Sequence, residues 1–133
     1  MAGDVVFVEG PLKFLLEFAE VDPMGYGVEV RLEVEYSGRS QNLKWTAEHL
    51  WFEYEALRRF ESELGDGREA RLFDMSEYPI LHFKRDSSQE YVTINPQSQR
   101  QSKDGECMSL RLNVNVGSMQ ALYSALSQFG KWW

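Results

Sequence analysis

His49, His82 and Cys107 are the side chains of this chain best suited to nucleophilic or general-base work. A nucleophile needs a base within reach and a third group to orient that base. The arithmetic allows Cys107 to pair with His82. Cys107, however, opens a strand-like run with no helix N-terminus or cationic cluster beside it to favour the thiolate, so it reads as a structural thiol. His82, set between Leu81 and Phe83, reads as a polar strand residue, and His49 as a solvated group near a helix start. Glu33 and Glu35 share a strand face, the arrangement of a carboxylate pair, but in a chain this acidic they read as solvated surface. Gly25-x-Gly27 precedes a strand instead of opening a helix, so it is a turn and not a phosphate cradle. No Cys-x-x-Cys, His-x-x-x-His or Asp-x-Asp-x-Asn-Gly spacing occurs, and neither a metal nor a cofactor is expected.

The elements that must position these residues follow from periodicity. Residues 5–8 and 12–18 read as a hairpin turned at Gly10-Pro11. In residues 28–36, Val28, Val30, Leu32, Val34 and Tyr36 alternate with Glu29, Arg31, Glu33 and Glu35, as expected of an antiparallel strand covered on one side. Residues 41–45 read as its return strand. Residues 45–64, WTAEHLWFEYEALRRFESEL, carry Leu50, Tyr54, Leu57, Phe60 and Leu64 on one helical arc. Thr46 is the expected N-cap of that helix, and Gly65-Asp66-Gly67 its stop. Within this reading Glu53 and Glu61 fall inside the apolar arc and Phe52 falls outside it.

Three short strands follow at residues 70–75, 80–84 and 90–95. Residues 96–106 have the polarity of a mobile hairpin loop. Met108, Leu110, Leu112, Val114 and Val116 alternate as a last strand. Gly117-Ser118 then caps a helix whose stripe is Met119, Leu122, Tyr123, Leu126, Phe129 and Trp133. The predicted class is α+β: an antiparallel, strongly curved sheet of about seven or eight strands, with one central and one C-terminal helix. The order strands, helix, strands, helix hints at two halves.

The chain's 133 residues suit a single domain, 1–133, able to bury a core without staples. Its 21 acidic and 14 basic residues give a net charge of −7, which repels nucleic acid and anionic membrane and favours a cationic partner. A single cysteine, an N-terminus without the pattern of a signal peptide and the lack of a long apolar run point to the cytoplasm. What remains is surface. Glu29, Glu33 and Glu35 on the strand and Glu48, Glu53 and Glu55 on the helix supply charge to steer a basic protein, with Trp51 and Phe52 as aromatic anchors.

Several runs together resemble the WapI-type immunity proteins of bacterial contact-dependent and polymorphic toxin systems. They are Phe14-x-x-Glu17-Phe18, Val28-x-Val30-x-Leu32-x-Val34, Trp45-Thr46-Ala47-x-x-Leu50, Leu57-x-x-Phe60-x-x-x-Leu64 and the closing strand and helix. The resemblance implies a small cytoplasmic protein that binds the C-terminal toxin domain of a large secreted protein, often a nuclease, and occludes its active site without catalysis of its own. It transfers no inhibitor residue position by position. A small-ligand binding module or structural subunit, with a pocket between the sheet face and residues 96–106, is the alternative.

Overall fold

Alternation and turn chemistry are realised as two antiparallel meanders, each followed by a helix. A computed structural model describes residues 3–95 and 109–130. Strands β1 (Gly3–Glu9), β2 (Leu12–Val21), β3 (Gly27–Ser37) and β4 (Asn42–Glu53) form the first sheet in sequence order, and helix α1 (Tyr54–Asp66) follows. Strands β5 (Glu69–Phe73), β6 (Pro79–Asp86), β7 (Gln89–Ile94) and β8 (Leu110–Val114) form the second, also in sequence order, before helix α2 (Ser118–Gln128). The class is α+β, antiparallel throughout its sheets, with a central and a C-terminal helix. The strands are shared between two sheets instead of running through one, because α1 carries the chain off the β4 edge and β5 then pairs only with β6. The order of four strands and a helix is thus repeated along the chain.

Period-two patterning decides which face of each sheet is covered. Leu12, Phe14, Leu16 and Phe18 on β2 and Val28, Val30, Leu32 and Val34 on β3 are buried on the inner face. Ala70, Leu72, Leu81, Phe83, Val92 and Ile94 do the same for the second sheet. Leu57, Phe60 and Leu64 of α1 and Met119, Leu122 and Leu126 of α2 complete one contiguous apolar cluster. Phe83 ties its parts together: its ring lies 6.1 Å from that of Phe14 on the other sheet and 6.2 Å from that of Phe60 on α1. Phe129, just past α2, stacks on Phe18 at 5.1 Å.

The main departure from the sequence reading is at residues 45–53, which are the second half of β4 and not the start of a helix. The cause is a β-bulge. Val30 pairs with Leu50 but Leu32 pairs with Ala47, so Glu48 and His49 together stand opposite Arg31. Trp45 and Ala47 lean inward before the bulge, Leu50 and Phe52 after it. That parity switch spaces Ala47 and Leu50 by three, and Leu50, Tyr54 and Leu57 by four and three, which imitates a helical stripe. Thr46 is therefore an exposed strand residue. The helix starts at Tyr54 with Glu53 as its N-cap residue, and it ends where expected, at Gly67 with φ 76°.

His49 takes the strain of the bulge, with φ 58°. A left-handed backbone costs a side-chain-bearing residue about 1 kcal/mol, and a β-branched one more. His49→Gly is expected to match or exceed the wild-type stability by up to about 1 kcal/mol, and His49→Val to fall below it by about 1–2 kcal/mol, in urea titrations. Equal tolerance of glycine and valine would remove the bulge from this account.

Cys107, Met108, Trp133 and the expected loop at 96–106 lie outside the described residues. No helix among the described residues is long and apolar enough to cross a membrane.

Candidate functional site

The outward side chains of β2, β3 and β4 build a charged face around the bulge. Along β3, Glu29, Arg31, Glu33 and Glu35 all point away from the core because Val28, Val30, Leu32 and Val34 take the inner positions. The register adds neighbours from both sides. Glu29 stands between Glu20 and Trp51, Glu33 between Leu15 and Thr46, and Glu35 between Lys13 and Lys44. Opposite residues on adjacent strands lie within reach of one another, so this face is one electrostatic unit.

Arg31 is its hub. The guanidinium reaches Glu33 at 3.1 Å, Glu48 at 3.4 Å and Glu17 at 3.8 Å. Lys44 reaches the other oxygen of Glu33 at 3.4 Å, and His49 Nδ1 lies 3.2 Å from Glu29. Desolvation on the sheet acts to raise the pKa of Glu33, but hydrogen bonds and charge from Lys44 and Arg31 outweigh it and hold the carboxyl below its ordinary value. The bulge also opens a concavity of about 230 Å³ lined by Glu17, Glu29, Arg31, Glu48 and His49. His49 is 79 % exposed, so its pairing with Glu29 is made in solvent and screened.

The residues singled out by sequence are thus sorted by the fold. Glu29, Glu33, Glu35, Glu48 and Trp51 share the solvent side of β3 and β4, although Glu48 and Trp51 arrive there on a strand and not on a helix. Trp51 is half-buried beside Glu29. Glu55 is carried separately, exposed on the first turn of α1 and paired with Arg58 at 3.0 Å. Phe52 has no exposed surface: it follows Leu50 onto the inner face, so in this fold it belongs to the core and not to a docking surface. Sequence reasoning had Arg31 in the right parity but missed its role, because the partners Glu17 and Glu48 come from β2 and β4 and only register brings them in.

The other histidine is also held by a carboxylate. His82, outward on β6, places Nε2 2.7 Å from Glu69 Oε1 on β5, and Arg71 closes on the same oxygen. The hydrogen bond to His82 is the main reason the Glu69 carboxyl titrates below its ordinary range. Among the described residues no group of three or more His, Cys, Asp or Glu is arranged to hold a metal ion. What the β3–β4 face offers is an array of charge with an aromatic side chain at its margin. No family model, no curated protein and no solved structure matches this chain.

Proposed function

We propose that this chain is an immunity protein which docks the solvent side of β3 and β4 onto the basic C-terminal toxin domain of a secreted bacterial protein and blocks that domain's active site. A nuclease is the toxin class that suits the charge best, because an enzyme that attracts phosphate presents a cationic cleft. In this reading the protein works in the cytoplasm of the cell it protects and binds neither nucleic acid nor membrane. The observation that carries the proposal is the convergence of Glu29, Glu33, Glu35 and Glu48 with Trp51 on one face of two paired strands. Carboxylates fixed in place steer a cationic partner and set its register, and a partly covered tryptophan supplies area that water must leave on contact. The resemblance of the apolar framework to WapI-type immunity proteins supports the same reading.

Glu33 is already engaged by Arg31 and Lys44, whereas Glu35, although it stands between Lys13 and Lys44, forms no ion pair within 4.0 Å among the described residues and is the more informative position. Against a toxin domain encoded beside this chain, Glu35→Lys with Glu29→Lys is expected to slow association at least tenfold at low salt, with a smaller difference in high salt. Stopped-flow association and rescue of cells expressing the toxin domain are the measurements. Unchanged association in the double reversal, with the fold intact by circular dichroism, would refute the interface. Failure of the wild-type chain to bind or rescue would refute the immunity role itself.

A further inference from the structure

The solvent side of the second sheet has the opposite character, and nothing in the immunity reading uses it. Register places His82, Thr93 and Arg111 in one cross-strand row, and Glu69, Lys84, Tyr91 and Asn113 in the next. His82, Lys84, Asp86, Tyr91, Thr93 and Arg111 line a concavity of about 240 Å³. It is smaller than the roughly 300–1,000 Å³ of sites for drug-sized ligands, and is suited to a small polar group.

Three features favour an oxyanion there. Arg111 lies over the Tyr91 ring, with its guanidinium carbon 3.9 Å from the ring centre. This cation–π contact holds the guanidinium in place with rotamer freedom already spent, and a guanidinium so placed can offer N–H donors to an oxyanion. Lys84 and Arg111 form no ion pair within 4.0 Å among the described residues, although Lys84 faces Glu69 across the strands and its charge acts on that carboxyl. Thr93 sits between the imidazole and the guanidinium in its row, so its hydroxyl can donate to an acceptor held by either. Two carboxylates stand near: Glu69 is engaged by His82 and Arg71 and faces Lys84 across the strands, and Asp86 lines the concavity at its β6–β7 end.

We infer that this concavity binds the phosphate group of a small molecule, with Arg111 and Lys84 as the charged donors and Thr93 as the neutral one. The overall charge of −7 disfavours a polyanion such as RNA and leaves a single phosphate as the fitting size of ligand. The inference stands apart from the immunity role, since it concerns the other sheet.

Calorimetric titration of the whole chain with inorganic phosphate and with phenyl phosphate at low ionic strength tests it, with amide chemical shifts locating the site. Saturable binding is expected, with shifts centred on residues 82–93 and 111. Lys84→Ala with Arg111→Ala should weaken it at least tenfold, and Lys13→Ala with Lys44→Ala on the other sheet should leave it unchanged. Tighter binding of phenyl phosphate would assign a phosphate ester, and equal affinities the free anion; both uphold the site. No saturable binding of either probe, shifts scattered over the surface, or an unaltered isotherm in the Lys84/Arg111 variant would overturn it.

Discussion

Phe52→Ala is expected to lower the stability of this protein by about 3–5 kcal/mol, among the largest losses available to a single substitution in it. The ring is fully buried and sits on β4 opposite Val28, the second inward residue past the parity switch. Its removal takes apolar area from the core and leaves a cavity that the close-packed side chains around it, held on β3 and the rest of the core, cannot fully close. On a domain of this size such a loss lowers Tm by roughly ten degrees or more. The neighbouring Trp51→Ala, on the outward side and half-covered, is expected to cost far less and to act on partner binding instead. Urea titrations with matched m-values separate the two. The helical reading of residues 45–64 makes the opposite forecast, since it puts Phe52 off the apolar arc and Trp51 on its shoulder. A Phe52→Ala variant within about 1 kcal/mol of wild type would therefore sink the strand assignment and its register together. It also follows that weaker partner binding by Phe52→Ala says nothing about an interface unless the folded fraction is known.

The contrast between these two neighbours shows where the chain's pattern could be read and where it could not. β3 and β8 were legible because each has one wet face, so an unbroken period of two marks both the element and its orientation. From that alone Glu29, Glu33 and Glu35 fall on one solvent face, and the structure places them there. β4 was not legible, because a bulge adds one residue and turns a strand's alternation into the spacing of a helix, with αR-favouring residues such as Ala47, Glu48 and Leu50 adding to the resemblance. A non-glycine residue carries the positive φ of the bulge, so no Gly marks it in the sequence. The division into two sheets was legible only as the hint in the order strands, helix, strands, helix: alternation names a strand's faces but not its neighbours, and only the position of α1 fixes where pairing stops. The charge network around Arg31 depends on the same missing information. Its partners lie on three strands, and a slip of one residue in either pairing would send them to the core side.

Glu90 is the residue whose importance is least visible in the sequence, and its replacement by alanine is expected to cost about 3–4 kcal/mol. It stands on the inner face of β7 in parity with Val92 and Ile94, and only 2 % of it is exposed. A lone carboxylate in such a place is costly unless donors meet it. They come from the start of α2: the Gly117 amide donates to one oxygen at 3.1 Å and the Met119 amide to the other at 3.2 Å. Gly117, the N-cap residue, has no side chain with which to cap, and Ser118 turns its hydroxyl to the Asn115 carbonyl at 2.7 Å instead of to the helix. The cap expected from Gly117-Ser118 is therefore supplied across the fold by another element. A carboxylate at that end also meets the positive pole of the helix dipole. Alanine at position 90 leaves both amides without their acceptor, the one at Met119 buried and the one at Gly117 partly so, at about 1–3 kcal/mol each. Glutamine keeps one acceptor but brings an NH₂ group against a donor, so Glu90→Gln should fall between alanine and wild type. Hydrogen exchange gives the local signature: protection at Met119 and through the first turn of α2 should drop in both variants, by more than global stability alone requires. If Glu90→Ala costs less than about 1 kcal/mol with that protection intact, the cap lies elsewhere. If it costs the full amount, β7 and α2 are joined by a charge, and the second half of the molecule cannot keep its helix docked once that charge is gone.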